Sequence, residues 1–237
     1  MTKSTRKIAS APEQLGLFPT RGGAREGAGR KPQGEFGRTS HAKRARLTRR
    51  DPLLVTTHLA AGLPSLRNER TLATLRRVLS AGSERFGFRL VEFGIQTTHL
   101  HFIAEADDAR ALARGMQGLL VRVARALNAE WGRKGRVLRD RYDARILKWP
   151  RDVRNALVYV LQNARKHGAK ILGIDHYSSG PWFEGWADRD AQDERPIARA
   201  GSWLLKIGWR KWDRIATSES PAGGRDFGWL ELLEHSS

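Results

Sequence analysis

The sequence predicts an α+β fold in which one sheet carries two helices on a single face. Three features predict it. Segments rich in β-branched residues alternate with segments whose apolar residues recur at helical spacing. Gly, Pro and Asp mark the points where one pattern gives way to the other. A hydrophobic share of 40% in 237 residues is enough to fill a core.

Residues 1–50 are expected to form a disordered, basic, Gly/Arg-rich tail. They hold 13 Lys and Arg against 3 Glu, which accounts for +10 of the net charge of +18. Apolar residues are too sparse there to offset the entropy of ordering. Arg25, Arg30 and Lys31 make this stretch a phosphate-binding arm, and "GRKP" (Gly29–Pro32) faintly resembles a minor-groove hook.

Order begins at "LLVTTHLA" (Leu53–Ala60), whose β-branched residues read as a strand. A helix follows, with Leu72, Leu75, Val78 and Leu79 as its apolar stripe, and Gly87 ends it or the turn after it. "FRLVEFGIQTT" and "HLHFIAEA" read as a second and third strand in a hairpin. A second helix comes next, opened by an Asp and carrying Leu112, Met116, Leu119, Leu120, Val123 and Leu127 on one side. "GRVLRDRYDARILKW" reads as a fourth strand. A last helix opens at Pro150 and closes on Gly168. The order β-α-β-β-α-β plus a helix is the ferredoxin-like arrangement with an addition. The folded domain is expected over 51–170. Residues 171–237 hold six of the eight Trp and form an extension that packs on the core or contacts DNA.

A net charge of +18 that persists into the folded part favours a polyanionic partner, nucleic acid before any other. The absence of Cys excludes disulfides, zinc knuckles and thiol nucleophiles. No apolar run reaches the roughly 18 residues a membrane span needs, and no secretory signal is seen. A cytoplasmic, DNA-associated protein with no membrane partner is expected.

Candidate chemistry lies in "QTTHLHFIAEADD" (Gln96–Asp108). Alternate residues of a strand share a face, so His99 and His101 project together while Leu100 and Phe102 enter the core. Two imidazoles so placed can bind one metal ion, or can be polar residues on an exposed strand face. In the last helix Tyr159 and Asn163 are four residues apart, one above the other. Val153, Leu157, Val160 and Ala164 form the stripe expected against the sheet, with Tyr159 and Asn163 at its margin. A phenol and an amide oxygen so placed can face the same metal, or Tyr159 can be a structural tyrosine. Glu105 shares the histidine face as a weaker ligand candidate, and Asp107 or Asp108 reads as a helix cap.

"HLH" at His99–His101, a late-helix Tyr159 with Asn163 four residues on, and the element order together resemble the REP-associated tyrosine transposases. These lie within the single-tyrosine HUH (His–hydrophobic–His) transposases of bacterial insertion sequences. The "GGAREGAGRKP" leader is also similar to relatives of this group. The resemblance covers roughly residues 53–170. It implies a divalent metal, Mg or Mn, held by His99, His101 and Asn163. It also implies nucleophilic attack by Tyr159 on single-stranded or hairpin DNA through a 5′-phosphotyrosine intermediate, in a monomer or a homodimer. Arg133 and Lys134 before the fourth strand, Arg139 and Arg141 within it, and Arg165 and Lys166 at the end of the tyrosine helix are expected to bind the strand. Thr97–Thr98 stand where many relatives have Pro–Asn, and Ala164 where many have Pro. These departures keep open a domesticated, non-catalytic DNA- or RNA-binding protein on the same fold. A third reading is a metal-dependent hydrolase using water.

Overall fold

The computed structural model describes residues 47–166, 171 and 173–221. The expected tail as far as residue 46, with Arg25, Arg30 and Lys31, and the helix end at Gly168 lie outside the described residues. Leu47 is already buried against the core, ahead of the domain start expected at 51.

Five strands form one sheet among the described residues: β1 (Leu53–His58), β2 (Glu84–Arg85), β3 (Phe88–Ile95), β4 (His99–Ala106) and β5 (Asp143–Ile146). Their order is β2-β3-β4-β1-β5, and every neighbouring pair is antiparallel. Without the two-residue β2, this is the ferredoxin-like order. Helix α1 (Glu69–Ala81) starts where the Asn68 side chain accepts from the Thr71 backbone N–H. Helix α2 (Ala109–Glu130) starts where Asp108 accepts from Ala111 N–H at 2.7 Å, so Asp108 is the cap.

α1 and α2 cover one face of the sheet. Leu72, Leu75 and Leu79 of α1 and Met116, Leu119 and Val123 of α2 meet Val55, Phe93, Leu100 and Phe102 in one core. Each fully buried side chain of this kind contributes about 1.5–3 kcal/mol. α1 ends at Gly82, and Gly87 turns the β2–β3 hairpin with φ +75°.

The other face is covered by α3 (Pro150–Lys166) and, outside α3, by the segment after residue 171. Leu54, Val91 and Ile103 of the sheet, Leu157 and Val160 of α3, and Trp186 and Trp209 of the extension form this second core. The extension thus packs on the core. It also covers the edge of β3: Ile95 N–H donates to Tyr177 O, and Ser179 N–H donates to Phe93 O. A covered edge offers no template for pairing with another chain.

The fourth strand is shorter than its sequence suggested. β1 pairs with β5 only from Leu53↔Ile146 to Thr56↔Asp143. Upstream the chain touches β1 through the Leu59↔Leu138 bridge and a bond from Arg139 N–H to His58 O. Arg139 and Arg141 therefore precede the strand instead of lying in it.

Candidate active site

His99 and His101 stand on β4 on the face turned to α3, while Leu100 and Phe102 enter the opposite core. Their ring centroids are 4.7 Å apart at 77°. Helix α3 brings Tyr159 over the same place: its ring centroid lies 4.7 Å from that of His101. One turn on, Asn163 Nδ2 lies 3.1 Å from His101 Nε2. The four residues singled out from sequence thus meet within one chain.

Gly94 permits this approach. It pairs with His101 across β3 and β4, and a Cβ on it would lie 2.2 Å from the Val160 carbonyl oxygen. Real Cβ atoms do not come so close, so any other residue at 94 would lift α3 away from the sheet.

His101 is fully buried and bonded at both nitrogens. Thr56, its cross-strand partner on β1, places Oγ1 3.0 Å from Nδ1. With the Asn163 amide nitrogen facing Nε2, Nε2 must accept, and the ring proton sits on Nδ1 and donates to Thr56. That tautomer leaves the Nε2 lone pair turned toward Asn163. The Asn163 Oδ1 atom is buried and has no hydrogen-bond partner.

The sequence reading missed Thr56, His58 and Gly94. His58 lies opposite His99 in the β1–β4 register, with ring centroids 5.3 Å apart, so three imidazoles run in a row from surface to interior. His58 and His99 are half-buried and mark the open end of the row. The alternation Leu54, Thr56, His58 along β1 was the available signal, but it needs the strand register to be read.

Tyr159 and Asn163 are not at the margin of α3. They are 1% and 0% exposed and turn inward against His101, while the rest of the helix from Ala156 to Ala164 is buried as well. Polar contacts clamp it further. Arg154 reaches both carboxylate oxygens of Glu219 at 2.7 and 2.9 Å, and Gln162 donates to Thr217 O.

Glu105 is not a ligand. Its carboxylate accepts from Gly201 and Ser202 N–H at 2.6 and 2.7 Å and pairs with Arg89, fastening the extension to β4. Among the cations expected to bind a strand, Arg133 donates to Asn128 and to Arg136 O, and Arg165 donates to Gly173 O. Both brace loops. Lys134 and Arg141 are exposed, and Arg139 lies 3.6 Å from Asp140. The Lys166 side chain lies outside the described residues.

Away from the site, Glu92 and Arg195 form a buried pair at 2.7 Å, 3% and 9% exposed. Burial pushes the Glu92 carboxyl up from the usual carboxylate range, and Arg195 and Ser179 pull it back.

No protein-family model matches the sequence, and neither does any curated protein. Solved structures do. One is described as a REP-associated tyrosine transposase bound to a REP hairpin, with TM-score 0.44 and 15% identity over 55% of this chain and 75% of that one. A second is a putative transposase from Deinococcus radiodurans R1, with TM-score 0.33 and 13% identity over 47% of this chain and 86% of that one.

The residues present fit a divalent cation as a donor set of two imidazoles and one amide oxygen. The His101 Nε2 lone pair accepts from the Asn163 amide nitrogen, so a cation there would need that amide turned to present its buried, unpartnered Oδ1. Among the described residues no group of three or more His, Cys, Asp or Glu is arranged to hold a metal ion.

Proposed function

We propose that the protein cuts and rejoins single-stranded DNA, at or near hairpins, through a covalent bond to Tyr159. The observation that carries this is the meeting of Tyr159 with His101 and Asn163 beneath the open row of His58 and His99. The Tyr159 oxygen attacks phosphorus, an O–P bond forms, and the P–O3′ bond breaks. The phenolic proton is lost and the leaving 3′ oxygen gains one, so the products are a 5′-phosphotyrosine and a free 3′-hydroxyl. Attack by a 3′-hydroxyl on the phosphotyrosine reverses the step and joins strands without ATP.

A divalent metal, Mg or Mn, held by His99, His101 and Asn163 would polarise the scissile phosphate as a Lewis acid. Thr56 holds the His101 ring plane through the contact at Nδ1. A free phenol has a pKa of about 10, so the site must also favour the phenolate.

A labelled hairpin-bearing single strand, incubated with the protein and Mn or Mg and run on a denaturing gel, tests this. The expected result is a covalent adduct with the unsubstituted protein and none with Tyr159→Phe. Cleavage that survives Tyr159→Phe would support water as nucleophile instead. A second reading, a non-catalytic nucleic-acid binder, is favoured by the 1% exposure of Tyr159. It predicts binding with no adduct under either metal.

A further inference from the structure

We infer that Trp149, Trp203 and Trp212 form a stacking platform for unpaired bases, beside the helix that carries Tyr159. The extension uses its tryptophans in two ways. Trp186 and Trp209 are 0% and 1% exposed, with their indole N–H groups bonded to Gly180 O and Leu205 O. Trp203 and Trp212 are 53% and 52% exposed, and Trp149, just before α3, is 69% exposed. Exposed indoles clustered with Ile207, itself 57% exposed, mark a contact surface.

Two cation–ring contacts place the indoles in one region. Arg151 lies two residues after Trp149, and its guanidinium stands 5.6 Å from the Trp212 ring centroid. Lys211, next to Trp212, places Nζ 5.5 Å from the Trp203 ring centroid. Helix α4 (Trp203–Lys206) and the 3₁₀ turn Gly208–Trp212 display these side chains, rooted by the buried Trp209.

Charge selects the partner. From Trp203 to Arg214 the sequence carries Lys206, Arg210, Lys211 and Arg214 against one acid, Asp213. Cations attract a polyanion, and indole faces attract flat rings. Single-stranded nucleic acid offers both at once, whereas a duplex hides its base faces. An anionic membrane would also meet Trp and Lys, but it favours a continuous amphipathic helix. Here the display rests on a four-residue helix and a five-residue turn. From Arg151 to Tyr159 is eight residues, about 12 Å along the helix axis. A strand seated on the indoles therefore lies at the N-terminal end of the helix that carries the proposed nucleophile. The inference rests on the proposed function only for the identity of that strand as DNA.

The test measures binding without cleavage, in the full chain carrying Tyr159→Phe. Probes are a labelled oligo-dT, an abasic oligomer of equal length, a duplex, and vesicles of phosphatidylcholine and phosphatidylserine. Trp212→Leu and Trp149→Leu keep an apolar side chain and remove the aromatic face; Trp212→Phe keeps a ring. The expected result is oligo-dT affinity about tenfold or more weaker in each Leu variant and mostly restored in Trp212→Phe. Abasic and duplex affinities should stay unchanged, and so should melting temperature. Unchanged oligo-dT affinity, an equal loss on the abasic strand, or vesicle binding that depends on the indoles would each overturn the platform. Adduct formation at Tyr159 is scored separately. An adduct with indole-independent binding defeats the platform alone, and indole-dependent binding with no adduct defeats the chemistry alone.

Discussion

A single hydroxyl sets the orientation of His101. Thr56 Oγ1 is the partner of its Nδ1, and both residues are buried. Thr56→Val keeps the shape and leaves Nδ1–H without that acceptor, which costs about 1–3 kcal/mol. Loss of such an outer partner typically costs about 10–100-fold in metal affinity or activity. We expect Thr56→Val to melt lower and to form the DNA adduct at a rate reduced in that range, with Thr56→Ser restoring both; melting curves and adduct time courses check this. The Glu92–Arg195 pair makes a different kind of statement. Removing one partner of a buried ion pair costs about 3–5 kcal/mol, so Arg195→Leu should be strongly destabilised at neutral pH. The folded carboxyl already titrates above its ordinary value because of burial. A raised pKa contributes stability that is full below the unfolded value of about 4.3 and is lost as pH rises through the folded one. Without Arg195 the upward shift grows. The deficit in melting temperature should therefore be larger at pH 8 than at pH 5, and an equal deficit at both would refute the argument.

At the level of elements, α3 lies between the sheet and the C-terminal extension. Its near face packs on the sheet and its far face on the extension, through Leu157 and Val160 on one side and Trp186 and Trp209 on the other. Removing a buried indole costs about 3–5 kcal/mol. Trp186→Ala should lose that much by denaturant unfolding, while Trp149→Ala, at an exposed position, should stay within about 0.5 kcal/mol. What the sequence disclosed about these elements follows the range of the interactions. His99 with His101, and Tyr159 with Asn163, were legible because strand and helix periods are local. The caps at Asn68 and Asp108 were local too, although only the Asp was recognised. Thr56 and His58 were hidden because they join the site through the register of β1 against β4, and the two strands lie some forty residues apart in sequence. The burial of Tyr159 was hidden for the same reason: it follows from the docking of α3 against His101 on β4, more than fifty residues earlier in sequence. β5 pairs only with Leu53–Thr56, although β1 runs on to His58.

Over the whole molecule, charge and fold play separate parts. The ferredoxin-like sheet arranges the site, and the charge of +18 bears on how strongly a polyanion is held. A protein that neutralises about 6–10 phosphates loses about 10³–10⁵ in affinity between 50 and 200 mM salt. Fluorescence anisotropy with a labelled single strand should show a fall of this order, and an affinity insensitive to salt would contradict the electrostatic argument. Residues 1–46, before the first described residue, supply +8 of that charge, and their contribution can be isolated by comparing the slope with and without Arg25, Arg30 and Lys31.

The phenol and the imidazole face each other inside a single polypeptide, on a helix fastened along both sides. On the proposed chemistry, each molecule is then self-sufficient. Specific turnover should not decline on dilution, and a mixed population in which half the molecules lack the nucleophile should work at half speed, with neither rescue nor poisoning between the two kinds.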